Sequence, residues 1–157
     1  MEKLFILSLI IKLDMEIIQK GAEAVLIRDG DRLIKDRIIK NYRLKEIDEK
    51  IRKFRTRREA KILGKLDFVP KIFNSDDKKM RIEMEFFDGE LLRDVLDGME
   101  KKTREDISRK IGKHISEMHK KGIIHGDLTT SNLILKNKEI YFIDFVLGFF
   151  SDRIEDK

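Results

Sequence analysis

Three side chains near the end of the chain could do chemistry together. The string His125-Gly126-Asp127-Leu128-Thr129-Thr130-Ser131-Asn132 is followed by Ile143-Asp144-Phe145. A carboxylate, an amide and a second carboxylate in this order suit phosphoryl transfer from ATP. That reaction asks a protein for positioned charge rather than covalent chemistry. In the pattern H-x-D-L-x-x-x-N followed by D-F, Asp127 would take the nucleophile's proton. Asn132 and Asp144 would hold Mg2+ against the phosphates. The bland alternative is a polar turn before an ordinary buried strand, and the agreement of several positions weighs against it.

Such a site needs a cation for the phosphates, and Lys35 in Leu33-Ile34-Lys35 is the candidate, with Glu59 as its carboxylate partner. In a chain this charged, one Lys and one Glu mean little alone; the downstream motif gives them weight. Glu46 and Glu49 are rival partners. Gly21-Ala22-Glu23-Ala24 falls where a phosphate-covering turn is expected, with Gly21 and Ala22 as backbone contacts. It has one glycine where kinase loops have three. Glu85-Phe86-Phe87 is where adenine would bond to backbone and stack. A plain strand end with a core Phe is the equal alternative.

The elements that must position these residues follow from patterning. Ala24–Ile27 and Leu33-Ile34 flank Asp29-Gly30, a hairpin signal. Ile47, Ile51, Phe54, Ile62, Leu63 and Leu66 recur at helical spacing, punctuated by Gly64 and Pro70. Ile72-Phe73 and Met80–Phe87 read as strands around a turn at Asn74-Ser75-Asp76-Asp77. The first half is thus a small antiparallel sheet with one helix after its third strand. In the second half, Leu91 to Leu96 suggest a short helix. A longer one, capped by Thr103, carries Ile107, Ile111, Ile115 and Met118 and stops at Gly122. Short strands at 133–135 and 140–143 close the pattern.

Composition narrows the classes. Of the 157 residues, 41% are hydrophobic, enough for a core. Another 41% are charged, against roughly 25% in ordinary soluble proteins, which fits ion-pair networks and leans toward a heat-loving source. No Cys is present, so disulfide scaffolds, zinc fingers and thiol catalysis are excluded. Between Asp31 and Lys65 there are 14 Lys or Arg against 6 Asp or Glu. Arg52, Lys53 and Arg55 lie in that stretch, which reads either as a nucleic-acid contact or as a solvated helix face. Leu4–Leu13 is apolar but shorter than the roughly 20 residues a spanning helix needs. Residues 1–14 read either as a remnant before a start at Met15 or as an extra packed element.

Together these motifs resemble the small atypical kinase/ATPase of the KEOPS complex, the PRPK family. The resemblance runs from about Gly21 to Lys157. It is carried by Lys20–Ala24, Tyr42-Arg43 before Asp48, Arg55-Thr56 before Glu59-Ala60, His125 to Asn132, and Ser151 with Ile154–Lys157. It implies an α+β, minimal two-lobed kinase-like fold. Residues 15–87 would form an N-lobe sheet with one helix, and 88–157 a reduced, mainly helical C-lobe. It also implies a cytoplasmic, Mg-dependent serine/threonine kinase or ATPase, using ATP, in tRNA threonylcarbamoyladenosine formation. The implied partners are the threonylcarbamoyl-transferase and other KEOPS subunits, with tRNA contact through residues such as Arg52, Lys53 and Arg55, and no membrane. The alternative is a non-catalytic, kinase-like adaptor.

Three departures qualify the resemblance. Val146 stands where Asp-Phe-Gly has glycine, which puts loop mobility in doubt. Gly126 replaces the arginine of His-Arg-Asp, which argues against switching by loop phosphorylation. The chain stops at Lys157, where the family continues in a helix. Leu147, Phe149 and Phe150 are then expected to lack cover and to mark a partner surface, and the chain would be a fragment or half of a fused gene.

Overall fold

The computed structural model describes residues 15–157. The expectations for residues 1–14 lie outside the described residues. The described chain forms two compact units. One holds the residues up to Thr56 together with Ile72–Phe86; the other holds Arg57–Lys71 and Phe87–Lys157.

The first unit is built on a five-stranded antiparallel sheet in the order β1-β2-β3-β5-β4. Its strands are β1 (Met15–Lys20), β2 (Ala24–Asp29), β3 (Arg32–Arg37), β4 (Ile72–Asp76) and β5 (Arg81–Glu85). The Asp29-Gly30 signal is a two-residue hairpin: Asp29 pairs with Arg32, and Gly30 takes φ +60°. Such turns need a positive φ, which glycine adopts without a Cβ clash. Charged and apolar residues alternate on β5 as expected, with Ile82 and Met84 buried. The turn expected at Asn74–Asp77 sits later, because Asn74, Ser75 and Asp76 pair with Glu83, Ile82 and Arg81. Asp76 then accepts the backbone N–H groups of Lys78 and Lys79, which bends the chain after the strand.

Helix α1 (Lys45–Leu63) follows β3, as the apolar spacing predicted. Its start carries Glu46 and Asp48, whose charge suits a helix N-terminus. Within the first unit it is fixed to β3 by polar contacts. Buried Arg37 donates to the hydroxyl of buried Thr56 at 3.2 Å, and that hydroxyl donates to the Arg52 carbonyl at 2.8 Å.

The second unit contains α2 (Leu92–Val95) and α3 (Lys101–Lys120). It also holds β6 (Glu90–Leu91), β7 (Ile123–Ile124), β8 (Leu133–Lys136), β9 (Glu139–Phe142) and β10 (Phe149–Phe150). Strands β6-β8-β9 form one small sheet, and β10 pairs with β7. Helix α3 starts one residue after Glu100, so Thr103 lies inside its first turn rather than capping it. Ile107 and Met118 are its buried residues, and Gly122 at φ +66° ends the segment. The core gathers Phe68, Phe142, Phe145, Ile62, Leu92, Ile123 and Ile140. Among the described residues no helix is long and apolar enough to cross a membrane.

Candidate active site

The segment from His125 to Asn132 runs between β7 and β8, and Asp144 follows β9. The hairpin β8-β9 pairs Leu133 with Phe142. This brings the two ends of the motif together, and the Ile143 N–H donates to the Asn132 carbonyl at 3.0 Å. Asp144 is therefore the next residue along from one bonded to Asn132. The turn of that hairpin is Asn137-Lys138, both at positive φ, which is what a tight two-residue connection requires.

Asn132 also holds Asp127. Its side-chain N–H2 donates to the Asp127 carbonyl at 2.8 Å and toward the Asp127 carboxylate at 3.3 Å. The amide's other atom, Oδ1, is an oxygen of the kind Mg2+ takes. Asp127 and Asp144 are exposed, and Asn132 is half-buried.

Buried His125 ties both strings from below. Its Nε2–H donates to the Ile143 carbonyl at 3.0 Å, and its Nδ1 accepts the Asp127 N–H at 3.4 Å. That pairing requires the neutral ring with its proton on Nε2. Burial pushes the imidazole below its ordinary value. The Ile143 carbonyl and the charges of Asp144, Asp127 and Glu59 oppose that shift without reversing it.

Asp144 has φ +63° and ψ +65°, a left-handed conformation uncommon outside glycine. A 3-10 turn, Phe145–Leu147, follows at once. Val146 lies in that turn without positive φ, so a β-branched residue fits where glycine was expected. The turn is anchored by Arg58, whose Nη2 donates to the Val146 carbonyl at 3.1 Å. Gly126 has its own cause. Its φ is +81°, and a Cβ there would stand 2.4 Å from the Leu147 carbonyl oxygen. No arginine can occupy this position while Leu147 lies where it does.

Of Phe149 and Phe150, the first is half-buried and the second is exposed, as expected. They pair with Ile124 and Ile123, and the Lys61 and Lys65 ammonium groups lie 5.1 and 5.5 Å from the Phe150 ring centroid. Leu147 is exposed.

The remaining candidates fall as follows. In the first unit, Lys35 is 8% exposed on β3, two residues before Arg37 and so on the sheet face turned toward α1. Gly21 and Ala22 form the turn between β1 and β2, where the Gly21 N–H donates to the Ala24 carbonyl at 3.0 Å. Glu85 ends β5 opposite Arg32. In the second unit, Glu59 is 1% exposed. Phe87 is buried against Tyr141, ring centroids 4.2 Å apart, so its side chain packs in the core. Of the basic cluster, Arg52 pairs with Asp48 at 2.7 Å and Arg55 with Glu23 at 2.5 Å. The sequence reading missed those two carboxylate partners, although Glu23 and Asp48 both stand inside the motifs it quoted.

Among the described residues no three His, Cys, Asp or Glu side chains gather to hold a metal. A pair such as Asn132 and Asp144 fits Mg2+, which commonly takes one or two protein oxygens, with phosphates and water supplying the rest.

Comparison with known proteins gives the family and the fold. The protein kinase domain family matches residues 28–153. The KEOPS complex subunit Bud32 of Pyrococcus abyssi is 43% identical, over 90% of this chain and 70% of its own length. A probable bifunctional tRNA threonylcarbamoyladenosine biosynthesis protein of Methanocaldococcus jannaschii is 44% identical, over 93% of this chain and only 28% of its own length. In fold, the Rio2 kinase of Chaetomium thermophilum, solved as an ADP/Mg2+-phosphoaspartate complex, superposes with a TM-score of 0.71 at 15% identity. The superposition covers 98% of this chain and 54% of that one. The chain has the α+β, kinase-like fold, and it belongs to the protein kinase family and, within it, to the family of the KEOPS complex subunit Bud32.

Proposed function

We propose that the chain is a Mg2+-dependent, ATP-using serine/threonine kinase or ATPase. In this reading it acts as the kinase-like subunit of a cytoplasmic assembly that forms threonylcarbamoyladenosine in tRNA. The observation that carries the catalytic part is the Asn132 amide bonded to Asp127, with its main-chain carbonyl bonded to the residue before Asp144. The biosynthetic part rests on the names of the relatives, of which the chain covers 70% in one case and 28% in the other.

The residues take these roles. Asp127, held by Asn132, accepts the proton of the attacking hydroxyl or water. Asn132 and Asp144 hold Mg2+, which when bound neutralises charge on the phosphates. In the first unit Lys35 and the Gly21-Ala22 turn serve the nucleotide phosphates. Neutral His125 carries no charge into the reaction; it keeps Asp127 and Ile143 in register.

Calorimetric binding of ATP with and without Mg2+ tests the reading. Wild type and Asp127→Ala are expected to bind Mg-ATP alike, and Asp144→Ala to lose the Mg2+-dependent part. Binding that is indifferent to Mg2+ in wild type would overturn the metal assignment. A non-catalytic adaptor is the second reading. Val146 in place of the Asp-Phe-Gly glycine favours it, whereas the presence of Lys35, Asp127, Asn132 and Asp144 favours the enzyme.

A further inference from the structure

Three of the stretches quoted for the family resemblance form one network in the first unit. The turn between β1 and β2 is held at every residue from Gly21 to Glu23. Gly21 donates to the Ala24 carbonyl, Lys40 Nζ donates to the Ala22 carbonyl, and the Ile38 N–H donates to the Glu23 carbonyl at 3.2 Å. The Glu23 carboxylate takes Arg55 Nη1 at 2.5 Å and has Arg43 Nη2 at 3.8 Å. Arg43 is in turn 3.6 Å from Asp48. Asp48, 1% exposed, accepts Arg52 Nε at 2.7 Å and the Lys40 N–H at 3.2 Å.

A turn with three glycines can mould itself to phosphate by backbone freedom; this one has a single glycine, without positive φ. Its place is set from outside, by side chains of α1 and of the connection before it. The Glu23–Arg55 pair is only partly exposed, 37% and 22%, so water screens it less than a surface pair.

We infer that Glu23 and Arg55 are positioning residues for the nucleotide, their ion pair latching the Gly21–Ala24 turn where it meets the phosphates. The inference rests on the nucleotide-binding reading above and names residues that the reading does not use. Neither residue touches the nucleotide; both act through the backbone of Gly21 and Ala22. A latch of this kind predicts a loss confined to phosphate recognition.

The test compares Mg-ATP and adenosine as probes, by calorimetry, on wild type, Glu23→Gln, Arg55→Met, Arg55→Lys and the double variant Glu23→Gln/Arg55→Met. Mg-ATP affinity is expected to fall about tenfold in each neutralised single variant, while adenosine affinity stays within twofold. Arg55→Lys, which keeps the charge, should recover most of the loss. The double variant should be no worse than the worse single one, because the two act through one contact. Equal losses for ATP and adenosine would mean general damage and overturn the latch, as would unchanged Mg-ATP affinity in both single variants. If wild type binds neither probe, the nucleotide-binding reading itself fails, and the latch with it.

Discussion

Asn132 donates its side-chain amide to both the carbonyl and the carboxylate of Asp127, at 2.8 and 3.3 Å. One residue thus fixes the proposed base and keeps its own Oδ1 for the proposed Mg2+. Asp127→Ala is expected to lower kcat for ATP turnover by about 100-fold or more, the range for removing a general base. Mg-ATP affinity should change less than twofold. Turnover equal to wild type in folded Asp127→Ala would remove Asp127 from the mechanism.

Gly126 and Gly112 make opposite predictions for the same substitution. Gly126→Ala meets the Leu147 carbonyl at 2.4 Å from a strained φ, and should cost at least about 1–3 kcal/mol. Gly112, exposed in α3 with nothing within 4 Å of a Cβ, should gain about 0.5–1 kcal/mol as Ala. Urea denaturation of both variants checks the pair, and equal effects would contradict the conformational argument.

Lys138 sits at φ +65° in the β8-β9 turn, and its carbonyl accepts from Lys110 Nζ at 2.6 Å. Lys138→Gly keeps that acceptor and relieves the backbone. A gain of about 0.5–1 kcal/mol in urea denaturation is expected, the left-handed penalty less glycine's chain entropy. A loss would mean the Lys138 side chain matters more than its backbone.

Asp48 gives the first unit a pH dependence. Burial pushes its carboxyl up, but the Arg52 side chain, the Lys40 N–H and the Arg43 charge outweigh this and hold it below its ordinary 3.8. A carboxyl depressed by folding stabilises fully above its unfolded value, and that stability is lost as pH falls through the folded value. Wild type should therefore lose stability to acid below pH 3.8. Asp48→Asn should be weaker at pH 7 by about 3 kcal/mol, because Arg52 loses the carboxylate it pairs with, and should flatten that acid slope. Denaturation at a series of pH values decides it, and parallel slopes would contradict the assignment.

Much of this was legible because period and turn chemistry are local. Alternation marked β5, Asp29-Gly30 marked its hairpin, and apolar spacing marked α1. The site motif was legible because its residues lie close in sequence, with one hairpin returning Asp144 to Asn132. What stayed hidden depends on contacts between distant residues. Glu23 and Arg55 are 32 residues apart, and no local pattern pairs them. Gly126 looked like a missing arginine because the obstruction is the Leu147 carbonyl, which the fold places there. Val146 looked like a lost glycine because the unusual backbone angles sit at Asp144 instead. The turn after β4 comes later than composition suggests, because Asn74-Ser75 carries turn residues while its backbone is paired to β5.

The most direct measurement is Mg-dependent ATP turnover by wild type and Asp144→Asn, each alone and with the proposed threonylcarbamoyl-transferase partner. The account predicts turnover by wild type in at least one of these states and its loss in Asp144→Asn. Equal rates for the two folded proteins in both states would contradict it.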